Sequence, residues 1–535
     1  MDICLKLFLL VGLIPATAVL ARDPVGAGPK DFAASDADAQ IRNLLKKIEP
    51  LEPADALKTF ELADGLTMEL AASEPEITDP IAMAWDEHLN LYVAEMRDYP
   101  YNPDPDNVLG RVRILQDVDG DGYYETSTVF ADHVHWPSGF APYKGGVFVS
   151  APPDVLYLKD TDGDNVADVR EVVLTGWGTR TAEDIMNNLE WGLDHWIYGA
   201  SSYNGGEMRP ADQPGFEPLE ARGRDFRFHP ETHALEAIPG AGDFGNSFDD
   251  WGNRYVCSSG THIMHDVAPP GYMGINPFLP LPRLIANIAA GDDRHQVYPT
   301  SGPEPWRAVR KQFWSRWVDT TPDMNAGRFP ERELALQGWV TGTAGAAIYR
   351  GDALPSEFLN NAFIGEPAGN LVIRNVLTPA GATFEARRPT PMRDFLTSTD
   401  NWCRPVNATT GPDGCLYILD MYREFIEDPS AIPDDILKYL DMLSGNDRGR
   451  VYRIQPEGFK RPVLPVLAGA GISALVDALH DPNGWTRDTA HRLIYERQDR
   501  TAVRHLFKAF AEAKRPQTRL HVLWSLEGLG ALDTP

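Results

Sequence analysis

The sequence predicts an all-β protein, a six-bladed β-propeller with an inserted cap and a short C-terminal α-helical tail. One theme recurs: a polar or proline-containing start, an alternating strand, a turn with Asp or Gly, and a second apolar strand. The copies at 79–95 and 404–420 are clear relatives, and four weaker copies lie between them, so six blades are expected. The copies begin at Asp79, Pro137, Asn188, Asn246, Gly345 and Arg404.

The spacing of the copies predicts where the propeller is interrupted. Most begin about 51–60 residues apart, which suits a four-stranded blade with long loops, but one interval is about 99 residues. An insertion at about 265–335 fills it, and its prolines and Trp306, Trp314 and Trp317 predict a cap with short helices. Strand periodicity does not fix closure, so a pair of β-sandwiches across 57–455 remains the alternative.

The N-terminus has the pattern of a secretory signal peptide over residues 1–21. Lys6 precedes an apolar run up to Leu20, and Ala21 is a small residue of the kind at which signal peptidase cleaves. This pattern predicts export to the periplasm or the outer cell surface. The apolar run contains Pro15 and is too short for ~30 Å of hydrocarbon, although a membrane anchor stays open as the alternative.

Two segments flank the predicted propeller at 57–455. Residues 22–56 are rich in Ala, Asp and Pro and predict a leader that packs loosely or supplies a helix. After Tyr452 the strand pattern stops, and apolar residues across 466–535 take the spacing of paired helices, as in HEAT-type repeats. About two such repeats fit, which is fewer than an array needs to be stable alone.

Charge and cysteine content restrict the partners. The chain has 49 basic and 77 acidic side chains and a net charge of −28, which repels nucleic acid and anionic lipid. Sugars, other small molecules, cations and proteins remain as partners. Outside the predicted signal peptide only Cys257, Cys403 and Cys415 occur, too few for a disulfide scaffold, so we expect buried free thiols.

Two acidic loops predict calcium sites. Their oxygen donors stand at alternate positions, with Gly or Asn where the backbone turns, which suits a hard cation of this size. Both follow apolar runs, so we expect them between strands and not in EF-hands; solvated turns are the alternative. The predicted ligands are Asp117, Asp119, Asp121 and Glu125 in the first loop, and Asp160, Asp162, Asp164, Asp168 and Glu171 in the second.

Several common catalytic motifs do not occur. The chain has no GxGxxG that opens a helix, no P-loop, no HExxH and no GxSxG, which disfavours nicotinamide, nucleotide, zinc-protease and serine-hydrolase chemistry. It has no CxxCH, so no covalent c-type haem is held in this chain.

Ordered motifs across about 60–455 match a known family. They include Ala94-Glu95-Met96-Arg97-Asp98-Tyr99-Pro100, the two acidic loops, Phe244-Gly245-Asn246, Glu304-Pro305-Trp306-Arg307, Gly365-Glu366-Pro367 and Arg404-Pro405-Val406. Together they resemble the PVC-type haem-binding CxxCH proteins, also called the membrane-bound dehydrogenase domain family. The resemblance implies a propeller similar to quinoprotein glucose and sorbosone dehydrogenases, usually followed by HEAT-like repeats and a cytochrome c domain.

The chain departs from that family in three places. It has no haem segment, Cys403 replaces an aromatic residue, and Asp428 stands where the family has His. Without a haem the electrons would leave to a separate cytochrome or another acceptor. A fragment of a longer chain and a lost redox role are the other two explanations.

The resemblance implies an oxidoreductase of the quinoprotein sugar or alcohol dehydrogenase type, with pyrroloquinoline quinone and calcium as cofactors. Propeller geometry sends the starts of the innermost strands to one end of a central channel. There we expect a base, His135, and an arginine, Arg404, that pairs with a carboxylate. The predicted catalytic residues are His135, Arg404, Asn188 and Arg97, and the predicted cofactor-binding residues are Asn246, Glu366, Asn370 and Arg404. Each could instead cap a strand end.

Two other function classes stay open. A non-catalytic carbohydrate- or protein-binding propeller suits the acidic composition and the Trp-rich insertion. A polysaccharide lyase or hydrolase that uses the same channel needs a Tyr/His or paired-carboxylate arrangement.

Overall fold

The computed structural model describes residues 35–240, 242–268, 284–291, 295–320 and 336–532. The predicted signal peptide and much of the predicted insertion lie outside these ranges. The described strands form six antiparallel sheets, and the innermost strand of each sheet contacts that of the next around a closed ring. The predicted six-bladed propeller is therefore confirmed, and the alternative of two β-sandwiches is wrong.

The strands follow the predicted copies closely. In the first three blades and before them they are β1 (Phe60–Leu62), β2 (Leu66–Ser73), β3 (Pro80–Trp85), β4 (Leu91–Glu95), β5 (Arg111–Gln116), β6 (Thr126–Ala131), β7 (Gly139–Tyr143), β8 (Gly146–Ala151), β9 (Asp154–Lys159), β10 (Val169–Trp177), β11 (Asn187–Trp191), β12 (Ile197–Ala200), β13 (Gly206–Pro210), β14 (Leu219–Glu220), β15 (Arg224–Phe228) and β16 (Leu235–Pro239). In the last three they are β17 (Asn246–Phe248), β18 (Arg254–Ser258), β19 (Thr261–Asp266), β20 (Ile285–Asn287), β21 (Ala344–Ile348), β22 (Ala362–Glu366), β23 (Leu371–Ala380), β24 (Thr383–Arg387), β25 (Leu396–Ser398), β26 (Pro405–Thr410), β27 (Leu416–Asp420) and β28 (Arg450–Pro456).

The innermost strands are β3, β7, β11, β17, β21 and β26, and they line the central channel. The ring closes because β2, from the start of the propeller, pairs with β28 at its end, in a register that runs from Leu66 opposite Pro456 to Ser73 opposite Arg450. β1 joins the fifth blade in the same way through β25. The second strand of each blade is almost wholly buried; in β4 and β27 every residue is. This burial on both faces explains the continuous apolar runs in the sequence.

The helices lie outside the ring. They are α1 (Ser35–Leu44), α2 (Pro53–Ala56), α3 (Pro305–Thr320), α4 (Asp434–Leu437), α5 (Ile472–Ala478), α6 (Gly484–Arg497), α7 (Ala502–Glu512) and α8 (Pro516–Gly528). The last four pair around an apolar core that includes Leu475, Leu493 and Leu506, as the spacing predicted. None of the described helices is long and apolar enough to cross a bilayer. All three cysteines of the described chain are buried free thiols.

Candidate active site

The innermost strands all begin at one end of the channel, which we call the mouth. Loops at this end and α3 enclose a cavity of about 270 Å³, the mouth cavity. Ile81, Ala344 and Val406, near the starts of three innermost strands, form its floor, and Trp339 adds an aromatic side chain to its wall. The mouth cavity is therefore built where propeller geometry sends loop residues from different blades.

Acidic side chains from two loops meet in this wall. Glu183 precedes β11, and Glu427 and Asp428 follow β27. The phenol of Tyr99 donates a hydrogen bond of 3.0 Å to Oε1 of Glu183. Burial raises the pKa of Glu183 well above its usual value, and the nearby charges of Glu427 and Asp428 raise it further. Glu183 therefore holds a proton more readily than an ordinary glutamate does.

Arginines of α3 hold Glu427 in place. Nη1 of Arg307 lies 3.2 Å from Oε2 of Glu427, and Nη1 of Arg310 lies 4.0 Å from it. Both guanidinium groups also stand over the ring of Trp306, at 4.4 and 4.8 Å from its centroid. Glu304 accepts a 2.5 Å hydrogen bond from Nε of Arg307. Glu427 therefore faces the cavity with its carboxyl group held by two arginines, in the same wall as Glu183.

The mouth cavity also contains donors that remain available to a ligand. Among the described residues, none accepts a hydrogen bond from Nη2 of Arg307, and Arg180 pairs only with Asp184, at 3.2 Å. Both arginines line the cavity. The wall can therefore both donate to and accept from a bound polar molecule.

Arg404 does not reach the mouth cavity, contrary to prediction. Its side chain is wholly buried and every donor group is used: Nε bonds the carbonyl of Arg423, Nη1 that of Pro367, and Nη2 both Oε1 of Glu304 and the carbonyl of Glu424. Because Glu304 also bonds Arg307, which lines the cavity, Arg404 stabilises the cavity wall without being part of it.

The predicted asparagines of the inner strands lie deeper in the channel, below the mouth. Nδ2 of Asn407 donates to Oδ1 of Asn188 at 3.0 Å and so bridges the third and sixth blades, which face each other across the ring. Asn246 donates to the carbonyls of Asn188 and Tyr198 and accepts from Arg254 at 2.7 Å. These amides organise the channel wall and have little left to offer a cofactor.

Glu366 and Asn370 are buried behind the mouth cavity and do not line it. Glu366 accepts a 2.7 Å hydrogen bond from the hydroxyl of Thr341, and burial raises its pKa to about 7. Asn370 has a positive φ of 55° and donates to the carbonyl of Cys403 at 2.7 Å. Both side chains fix the loops that carry cavity residues.

His135 and Arg97 also lie outside the cavity wall. The imidazole of His135 packs edge-on against Trp136, with ring centroids 4.8 Å apart, and burial lowers its pKa. Arg97 reaches the carbonyl of Asn446 at 3.4 Å. The structure thus gathers none of the predicted catalytic residues in the mouth cavity.

The residues that do line the mouth were visible in the sequence only as isolated charges. The motif Glu304-Pro305-Trp306-Arg307 and the unusual Asp428 stand far from Glu183 in the chain, and no sequence pattern links them to it. The one local signal is a charged cluster, 180–184, in a loop directly before an innermost strand.

The two acidic loops have one shared structure. In each, the first aspartate accepts from backbone N–H groups three and five residues on, and the ninth-position acid accepts from the second residue. Carboxylate oxygens gather from Asp117, Asp119, Asp121 and Glu125 in one loop and from Asp160, Asp162 and Asp168 in the other. Asp164 instead caps the N–H of Val166, and Glu171 lies on β10 opposite Tyr157. Both loops lie at the channel end opposite the mouth.

Comparison with known proteins gives one family and several distant structures. The profile of a domain of unknown function (DUF7133) matches residues 52–458. No curated protein matches the chain. A Thermus thermophilus protein described as an oxidoreductase (glucose dehydrogenase) is 14% identical, with 73% of this chain and 100% of that chain covered and a TM-score of 0.40. Soluble aldose sugar dehydrogenase from Escherichia coli is 14% identical, with 73% and 99% covered and a TM-score of 0.38. The PQQ domain of pyranose dehydrogenase from Coprinopsis cinerea is 12% identical, with 74% and 97% covered and a TM-score of 0.38.

Proposed function

The chain belongs to the DUF7133 family, a domain of unknown function, and we propose that it is an exported oxidoreductase that oxidises a sugar or sugar-derived alcohol in the mouth cavity. The observation that carries this proposal is that Glu183, whose pKa burial raises well above its usual value, shares the cavity wall with Glu427, which Arg307 holds. Two carboxyl groups whose surroundings set them in different protonation states are suited to act as acid and base.

A polyhydroxylated substrate suits this wall. Sugar hydroxyls both donate and accept hydrogen bonds, and the wall offers the carboxylates of Glu427 and Asp428 together with the N–H groups of Arg180 and Arg307. In the proposed reaction, Glu427 takes the hydroxyl proton while the carboxylic acid of Glu183 donates a hydrogen bond to a neighbouring substrate oxygen. Arg307 keeps the accepting oxygen of Glu427 in place.

The donor set of the cavity fits the carboxylates of pyrroloquinoline quinone. Arg180 and Arg307 would hold them, because both retain N–H groups toward the cavity. When bound, a quinone of this class accepts the hydride that leaves the substrate carbon. The acids of the same wall oppose an anion, so Asp428→Asn is expected to tighten the binding of the quinone.

We also propose that the two acidic loops bind calcium. Carboxylate oxygens at alternate positions of a short loop are the donors that Ca²⁺ prefers. Since both loops lie opposite the mouth, the ion would stabilise the first two blades and take no part in the reaction.

The test is dye reduction by the purified chain across a panel of sugars and sugar alcohols, with and without quinone and calcium. We expect turnover with at least one substrate, and a loss of about 10²-fold or more in Glu183→Gln. Glu207→Gln, which alters an exposed acid on β13, is the matched control. A folded wild-type protein that reduces no dye on any substrate, with quinone bound, would contradict the proposal.

Cleavage of a glycosidic bond is a second candidate, favoured by the same acid and carboxylate pair. Such a pair protonates the leaving oxygen and activates water or attacks the sugar ring. If the protein released reducing ends from polysaccharides but reduced no dye, its reaction would be glycosidic cleavage and not oxidation. If the protein bound a carbohydrate but showed neither activity, it would be a carbohydrate-binding propeller.

A further inference from the structure

The helical tail closes the lower end of the channel, opposite the mouth. Helix α6 brings Trp485, Asp488, Thr489 and Arg492 to the wall of a second cavity of about 180 Å³, whose other walls are the innermost strands. Three ion pairs fasten the helix to the propeller: Arg350 with Asp488 at 2.5 Å, Asp250 with Arg487 at 2.5 Å, and Glu87 with Arg492 at 2.8 Å. The tail is therefore a plug held largely by polar contacts.

A chain of three imidazoles crosses the same interface. His195 lies in the loop after β11, His491 on α6 and His521 on α8, and all three are buried. Nε2 of His491 lies 3.3 Å from Nδ1 of His195, and Nδ1 of His521 lies 3.4 Å from Nδ1 of His491. Nε2 of His195 lies 2.9 Å from the carbonyl oxygen of Trp524. The ring of Tyr495 stacks on His195 with centroids 4.3 Å apart.

These contacts fix the number of protons that the chain of rings holds. A carbonyl only accepts, so His195 carries its proton on Nε2 and accepts on Nδ1 from His491. His491 then accepts on Nδ1 from His521. Each imidazole is therefore neutral, and each donates one hydrogen bond in the direction of the carbonyl of Trp524. An added proton on His195 would set two donors against each other. One on Nδ1 of His491 would face the donor of His521, with only the hydroxyl of Ser525, 3.4 Å away, to accept from it, and Nε2 of His521 has no hydrogen-bond partner among the described residues.

The charges around His521 do not favour a proton there. Oδ1 of Asp488 lies 3.7 Å from Nε2 of His521, but both oxygens of Asp488 bond Arg350, at 2.5 and 3.0 Å. Burial lowers the pKa of His521 well below its usual value, Arg487 and Arg350 lower it further, and Asp250 raises it.

The other two rings are in similar surroundings. Burial lowers the pKa of His195 to about 4, with the hydrogen bond to the carbonyl of Trp524 acting against burial and the charge of His229 acting with it. Oε2 of Glu527 lies 3.6 Å from His195, but this carboxylate is more than half exposed. Burial and the two neighbouring imidazoles lower the pKa of His491, which Asp488 raises.

We propose that this imidazole chain makes the helical tail a plug that acid releases from the lower end of the channel. Undocking exposes the rings, which regain a pKa near 6.5, so the undocked state binds more protons and its population rises as the pH falls below about 6.5. For His195 alone this raises the undocking equilibrium about 20-fold between pH 7 and pH 5. The other two rings add to that factor, whereas Glu190, which faces α6 across the lower cavity and whose pKa burial raises to about 8, holds its proton in the docked state and opposes it. The inference does not depend on the proposed function.

Hydrogen exchange of the full chain tests it. The exchange of α6 amides, corrected for the intrinsic effect of pH, is compared with that of β27 at pH 7, 6 and 5. We expect α6 protection to fall several-fold from pH 7 to pH 5 while β27 keeps its protection. Equal protection of α6 at the three pH values would overturn the proposal.

A variant assigns the effect to the imidazoles. His195→Asn keeps a residue that tolerates the positive φ of 66° and can still donate to Trp524, but it does not titrate. We expect the pH dependence of α6 protection to become shallower by up to one proton. His505→Gln, on α7 and outside the chain of rings, is the matched control and should respond as the wild type does. An unchanged slope in His195→Asn would remove the imidazole chain from the mechanism.

Discussion

The same six strands form both ends of the channel, but charged side chains are available to a ligand at one end and are paired with the helical tail at the other. At the mouth, Arg307 keeps an N–H group toward a cavity, and Glu183 accepts a hydrogen bond from Tyr99. At the lower end, Arg350 and Arg487 are each paired across an interface with the tail. The strands therefore fix the ring, whereas the loops decide which end can bind a ligand and which end docks a helix.

The largest expected effect separates the two ends by activity. Glu427→Gln at the mouth should lower the turnover of a sugar substrate by ~10²–10⁴-fold, because it removes the proposed base. Glu190→Gln, an acid that lines the lower cavity, should leave turnover within about twofold. Steady-state dye reduction on both folded variants measures this. Equal losses of turnover in the two variants would contradict the assignment of the reaction to the mouth.

The next effect concerns the brace behind the mouth. Arg404→Met leaves Glu304 with Arg307 as its remaining arginine partner and leaves three backbone carbonyl groups without the donors of Arg404, so the free energy of unfolding should fall by about 3–5 kcal/mol. Arg393→Met removes an exposed ion pair with Asp64 and should cost less than about 1 kcal/mol. Denaturant unfolding compares them. If Arg404→Met keeps wild-type stability and loses only activity, the arginine acts on a ligand after all.

Calcium should stabilise the lower end more modestly. An ion at 100 times its dissociation constant contributes about 2.7 kcal/mol per site, so chelation should lower the melting temperature. Asp160→Asn should remove part of that response, because Asp160 is in the gathered carboxylates. Glu171→Gln is the matched control, since Glu171 lies on β10. Melting curves that coincide in chelator and in calcium would mean that both loops are ordinary turns.

The smallest effect tests the lower cavity itself. Glu190 is exposed to the lower cavity but surrounded by protein, and burial followed by Asp488 raises its pKa to about 8. The folded state thus holds a proton that the unfolded chain loses above its usual pKa of 4.5, and stability falls as the pH rises to about 8. Glu190→Gln should therefore raise the melting temperature at pH 8 by about 1–2 °C and leave it nearly unchanged at pH 4. The opposite pH dependence would show that Glu190 is ionised in the fold.

The ring of blades could be predicted because its determinants are local. Strand alternation, turn residues and the repeat starting at Asp79, Asn188 and Arg404 are set within a few residues of each other. The acidic loops could be predicted for the same reason. Glu171 marks where this local reasoning stops: the loop ends at Asp168, and strand pairing then carries Glu171 away.

The mouth could not be predicted because it depends on contacts between loops far apart in the chain. Glu183 and Glu427 are separated by more than two hundred residues and meet only when the ring closes. Arg404 has the residue type expected for a cofactor site, but three carbonyl groups from two loops accept its hydrogen bonds. His135 precedes an innermost strand, as predicted, but packs on Trp136 away from the cavity.

The position of a bound substrate tests whether the mouth cavity is the active site. A crystal structure of the chain soaked with the sugar that best supports dye reduction would locate it. We expect the sugar to lie in the mouth cavity, with a hydroxyl within hydrogen-bond distance of Glu427 and a second oxygen within hydrogen-bond distance of Glu183. A sugar bound instead in the lower cavity, against Glu190 and α6, would contradict it.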